Sequence, residues 1–143
     1  PTDRAKSGVK RHILTDGRGV PLSAEITAAN VHDKRAAIPT VDAIVVRAPR
    51  GPRRPTNLCL DKGYDFDDID REIRARGIRP HIRRRGEKPR SCRRGRARRW
   101  VVERTNAWHN RFRALLIRWE RKATNYLGLL HLACAMIALR HTM

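Results

Sequence analysis

Two acidic side chains in this sequence have surroundings that could do chemistry. Glu103 stands in Arg98-Arg99-Trp100-Val101-Val102-Glu103-Arg104, a lone acid among far more positive charge than ion pairing requires. Asp61 ends the short apolar run Asn57-Leu58-Cys59-Leu60 and opens Asp61-Lys62-Gly63-Tyr64-Asp65, the arrangement of a buried strand delivering an acid at its carboxyl end. A carboxylate inside a field of arginines fits handling of a polyanion through a metal ion, and DNA is the obvious polyanion. Hard divalent cations prefer oxygen ligands, and two such ions about 4 Å apart stabilise the attacking and leaving oxygens of a phosphodiester together.

Charge supports a nucleic-acid partner. The 143 residues carry a formal net charge of +19, well beyond what solubility needs. Between Arg74 and Lys122, nineteen Lys and Arg face only Glu87, Glu103 and Glu120, so the excess is localised as a binding face should be. The candidate phosphate contacts are Arg83, Arg84, Arg85, Arg93, Arg94, Arg99 and Arg104. Residues 83 to 96 read as a basic loop with Gly and Pro, ordered by its ligand.

The elements that would position these groups follow from periodicity. Val101, Trp108, Phe112, Leu115 and Trp119 fall on one stripe at helical spacing, predicting a single amphipathic helix from Arg98 to Arg121 with that stripe in the core. Glu103 lies about 200° round from Val101, on the face of Ala107, Asn110 and Ala114. Lys10–Thr15 and Val20–Thr27 alternate as strands about the turn Asp16-Gly17-Arg18-Gly19, a hairpin. Asp33 is placed to cap a helix reaching about Val46 through Pro39, and residues 47 to 56 read as a linker. A helix from Phe66 to Ala75 stopped by Gly77 leads to a strand at Ile78–Ile82, with Asp67, Asp68 and Asp70 structural acids near the helix start. Tyr126–Leu139, apolar nearly all round, is expected to pack deep as a final helix and is too short to span a bilayer.

With 40% hydrophobic residues, a chain of this length holds one core and one domain, 1–143. Three cysteines form neither a disulfide framework nor a close-spaced metal pair, which suits a reducing cytoplasm; Cys59 and Cys134 read as small buried hydrophobes. The histidines show no zinc spacing.

Several blocks, in order, resemble a known family. Gly8-Val9-Lys10-Arg11-His12 with Gly19-Val20-Pro21-Leu22, Ala29-Asn30-Val31-His32-Asp33, Asp61-Lys62-Gly63-Tyr64-Asp65, Arg99-Trp100-Val101-Val102-Glu103-Arg104 with Trp108, and Arg118-Trp119-Glu120-Arg121 look like the carboxyl-terminal catalytic half of bacterial insertion-sequence transposases of the insertion-sequence-five type, in the DDE superfamily. The resemblance implies an α/β, ribonuclease-H-like fold, a mixed sheet with flanking helices that lacks its first strand. It implies an Asp-Asp-Glu triad holding two magnesium or manganese ions, with Asp61 as the second Asp and Glu103 as the Glu. The first Asp would lie upstream of Pro1, because Asp16 belongs to a turn and Asp3 to a polar entry segment, so the chain alone is expected to be inactive. Implied partners are double-stranded DNA at transposon ends and targets, an upstream transposase segment, and a second copy in the synaptic complex; the setting is the nucleoid. The competing reading is a basic, catalytically dead DNA-binding remnant of a decayed element.

Overall fold

The structure is a computed structural model and describes residues 8–45, 55–84, 86 and 99–142, the side chains of 99 and 142 excepted. The hairpin forms as read, with β1 (Val9–Thr15) antiparallel to β2 (Pro21–Ala28) and His12 opposite Glu25. Its turn is fixed locally: Asp16 Oδ1 accepts the backbone N–H groups of Arg18 and Val20, each at 2.8 Å. Gly19 there has φ +88°, a value that favours glycine.

Alternation along the hairpin gives it two covered faces. Ile13, Ala24 and Ile26 meet the final helix, where Tyr126, Leu130 and Ala133 are buried. On the opposite face Leu14 packs against Ala37, Val41, Leu58, Ile69, Ile73 and Ile78. There Ser23 Oγ donates to the Thr40 carbonyl at 2.6 Å, tying the hairpin to helix α1 (Lys34–Asp42).

Helix α1 stops at Asp42, short of the expected Val46. Arg76 grips Asp42 through two parallel bonds of 2.9 and 2.8 Å and reaches Glu72 at 2.6 Å. Asp33 occupies the position before α1 without capping it. Its backbone is already helical (φ −57°, ψ −30°) rather than extended, as a capping side chain requires, and its carboxylate instead takes Lys10 Nζ at 2.8 Å.

Strand β3 (Asn57–Leu60), helix α2 (Asp67–Ala75) and strand β4 (Arg79–Ile82) form a parallel β-α-β unit. Gly77 (φ +73°) ends α2, and the acids of its first turn are structural, Asp68 pairing with Lys34 at 2.7 Å and Asp70 with Arg74 at 2.5 Å. Among the described residues the strands make two separate two-stranded sheets, β1–β2 and β3–β4, not the one mixed sheet expected. Each pair is closed by its own local connection, and no described strand bridges them.

The expected 24-residue helix is also corrected. Helix α3 (Arg99–His109) ends in a turn, Phe112 is extended (ψ 106°), and only the four-residue α4 (Arg113–Leu116) follows. The break lets Leu115 fold back against the final helix, where the Tyr126 hydroxyl donates to its carbonyl at 3.0 Å. Trp119 is consequently 76% exposed and is not core. Helix α5 (Ala123–Thr142) begins three residues earlier than expected and buries one face only, through Tyr126, Leu130, Ala133 and Ile137. Leu132, Met136 and Leu139 are exposed, so the helix does not pack deep all round. Cys59 is exposed too, because its side chain alternates with the buried Leu58. No described helix is long and apolar enough to cross a membrane.

Candidate active site

Asp61 is placed by β3 and fixed by its own turn. Leu58 is buried and anchors the strand, and Asp61 follows it in extended conformation at the strand's carboxyl end. Its Oδ1 accepts the Gly63 N–H at 2.8 Å, which orients the carboxylate at the head of the 3-10 turn Lys62–Tyr64. A Cβ on Gly63 would lie 2.9 Å from that oxygen, so a side chain there would push the Asp61 carboxylate out of this position. Composition alone gave Gly63 no such role; the signal available was an Asp followed two residues later by Gly after an apolar run.

Tyr64, half-buried, faces the same region. Burial pushes its phenol up to about 12, and the negative charges of Asp33 and Asp61 add to the effect, so its hydroxyl stays protonated beside them. The Lys10 ammonium bonded to Asp33 holds that carboxyl below the usual range.

The parallel register then brings part of the basic set to Asp61. Leu60 pairs with Ile82, so the chain leaves β4 into Arg83 and Arg84 at the same sheet end where it leaves β3 into Asp61. Arg83 and Arg84 are exposed, with an Arg84 Nη2 4.0 Å from Asp67 Oδ1. Carboxyl ends of parallel strands are where open α/β sheets take their ligands. Arg85, Arg93 and Arg94 lie outside the described residues, as does the side chain of Arg99.

Glu103 is exposed on α3, as is Ala107; Asn110 and Ala114, expected on the same helical face, are exposed too but lie beyond the end of α3, in the turn and in α4. The face α3 buries differs from the expected aromatic stripe. Val101, Thr105 and His109, four residues apart, are its most buried residues, two of them polar. Arg104, a candidate DNA contact, makes contacts within the fold. Its guanidinium lies 4.6 Å over the Trp100 ring and 4.9 Å from that of Trp108, and it donates to the Arg18 carbonyl of the hairpin turn. Together these contacts tie α3 to the hairpin turn. Trp100 is 49% exposed, with this arginine over its ring.

Residues 1–138 match the family described as the transposase DDE domain. The chain belongs to this transposase family. It is 45% identical over 140 residues to a protein of Burkholderia cepacia whose name assigns it to insertion sequence element IS402 as a transposase. That alignment covers 96% of this chain but 65% of the relative, so the chain spans slightly less than two thirds of the relative's length. No solved structure matches it.

As donors for the family's divalent metals, Asp61 and Glu103 have suitable chemistry: both are exposed carboxylates, the hard oxygen ligands magnesium and manganese favour. Among the described residues no three His, Cys, Asp or Glu side chains gather into one ligand group.

Proposed function

We propose that this chain is the carboxyl-terminal part of a DDE transposase catalytic domain, which cleaves DNA at insertion-sequence ends and joins the freed end to a target. The observation that carries the reading is the common sheet end of Asp61, Arg83 and Arg84, where an acid suited to a metal stands beside the start of the basic segment. The matching family supports the reaction class.

In this reading Asp61 and Glu103 hold magnesium or manganese, and the first Asp of the triad comes from a strand upstream. That strand would lie between β1 and β3 and join the two small sheets into one ribonuclease-H-like sheet. Metal ions bound there would supply charge stabilisation to the attacking and leaving oxygens of the phosphodiester. The chain's own residues do the rest. Gly63 fixes the Asp61 carboxylate, and α3 carries Glu103 on its open face. Arg83, Arg84, Arg85, Arg93, Arg94 and Arg99 steer the strands by phosphate contact, which positions DNA without reading its sequence. Water serves as nucleophile for the first cut and the freed 3′ hydroxyl for joining, so no covalent protein intermediate is needed. Transposon ends, target DNA and a second protomer are the partners, and cytoplasmic, nucleoid DNA is the setting.

A nicking assay on an end-containing duplex tests the proposal. The 143-residue chain should not cleave, because two carboxylates leave adjacent dications under-neutralised. The chain extended upstream through a strand-borne Asp should nick and join with magnesium or manganese. In it, Asp61→Asn and Glu103→Gln should each abolish cleavage while DNA binding persists. Metal-dependent nicking by the 143-residue chain that survives Asp61→Asn refutes the assignment, and an extended chain that binds DNA but never cleaves marks a decayed remnant.

A further inference from the structure

Helix α3 rests directly on the hairpin turn, through the two residues that follow Glu103. Thr105 is fully buried, and its Oγ1 lies 2.7 Å from the Gly19 carbonyl oxygen and 3.1 Å from that of Val101. A hydroxyl has one proton to give, and the shorter distance directs it to Gly19. Arg104 donates to the neighbouring Arg18 carbonyl. The approach is tight enough that a Cβ on Gly19 would lie 3.0 Å from Thr105 Oγ1 and 3.1 Å from Arg104 Nη2. The receiving turn is itself braced, since Asp16 binds the N–H groups of Arg18 and Val20 and accepts that of Gly19 at 3.1 Å. Both acceptors thus belong to a turn fixed by its own hydrogen bonds.

Sixteen residues separate β4 from α3, so tertiary contact rather than a short connection has to set the height and rotation of the helix. An α-helix is stiff over its eleven residues here, and a group fixed at Thr105 fixes Glu103 two residues, or about 3 Å, along the axis. We infer that the turn Asp16–Gly19 is the register stop for α3, and that Thr105 and Arg104 are positioning residues for the Glu103 carboxylate. The inference rests on Glu103 being a metal ligand. Ligand constellations work only when held within about 0.5 Å, and loss of a supporting contact typically weakens metal binding about 10- to 100-fold.

The test uses the full transposase chain and reads manganese affinity by calorimetry alongside nicking and DNA binding. Thr105→Val keeps the side-chain shape and removes the hydroxyl; manganese affinity should fall about 10-fold or more, and nicking with it, with DNA affinity unchanged. Thr105→Ser, which keeps the hydroxyl, should restore both. Arg104→Met, at a half-buried site, should act in the same direction and carries the test if Thr105→Val does not fold. Leu132→Ala, at an exposed position of α5, should leave manganese affinity alone. Wild-type manganese affinity in Thr105→Val and Arg104→Met, while Glu103→Gln loses it, overturns the register stop and leaves the functional reading standing. Wild-type affinity and nicking in Glu103→Gln overturn both.

Discussion

His109 Nε2 lies 3.3 Å from Cys134 Sγ, while His109 Nδ1 lies 2.9 Å from the Thr105 carbonyl oxygen. A carbonyl only accepts, so Nδ1 carries the proton and Nε2 receives the thiol hydrogen. The pair joins α3 to α5 with both members uncharged. Burial lowers the His109 pKa and pushes the Cys134 thiol up to about 11.

Stability should therefore respond to mild acid. A histidine whose folded pKa lies below its unfolded value takes up its proton mainly in the unfolded chain, so its stabilising effect is complete above about pH 6.5 and declines as pH falls below that. His12, also lowered by burial, has the same sign. Asp33, lowered by Lys10, loses its contribution only further down, through the carboxylate range. Urea midpoints should be level from pH 7 to 8 and fall from about 6.5 to 5, and His109→Gln should make that fall shallower. A level profile down to pH 5 would contradict the buried neutral imidazole.

Thiol reactivity should separate the cysteines. Cys59 is exposed, whereas Cys134 is partly buried and held protonated against His109. Alkylation of the native protein near pH 7.5, followed by peptide mapping, should label Cys59 well before Cys134, which reacts only on unfolding. Equal rates for the two would mean that α5 does not stay docked.

DNA affinity should be largely independent of sequence and drop about 10³-fold or more between 50 and 200 mM salt if six or more phosphates are contacted. Replacing Arg83, Arg84, Arg85, Arg93 and Arg94 with glutamine should flatten that slope. Arg104→Gln should not, because its guanidinium is spent on Arg18 and the indoles. Titrations of fluorescent duplex at several salt concentrations decide between these sites, and a slope lost with Arg104 alone would relocate the binding face.

Two glycines allow strain to be separated from contact. Gly77 and Gly19 both have positive φ, but a Cβ on Gly77 meets nothing within 4 Å, whereas one on Gly19 meets Thr105 and Arg104. Gly77→Ala should cost about 1–2 kcal/mol by left-handed strain alone. Gly19→Ala should cost clearly more in the same urea titration. Equal costs would show that α3 yields readily at the turn.

Local rules carried much of this protein in its sequence. Alternation and turn chemistry defined the hairpin and its Asp16 brace, and an apolar run ended by an acid defined β3 and the place of Asp61. The helical spacing that set Glu103 apart from Val101 needs only the rise and twist of one helix, and it holds in α3. What tertiary structure decided lay wherever distant segments compete for the same side chain. The aromatic period suggested a helix running to Arg121, yet Leu115 gains burial against Tyr126 and Leu130 only if the helix breaks first, which leaves Trp119 in solvent. Asp33 was placed to cap its own helix, but Lys10 on a strand claims its carboxylate. Thr105 and His109 read as ordinary polar residues because their partners, Gly19 and Cys134, are 86 and 25 residues away. A polar side chain becomes core only when a partner is delivered to it, and that delivery is a property of the folded chain rather than of any window along it.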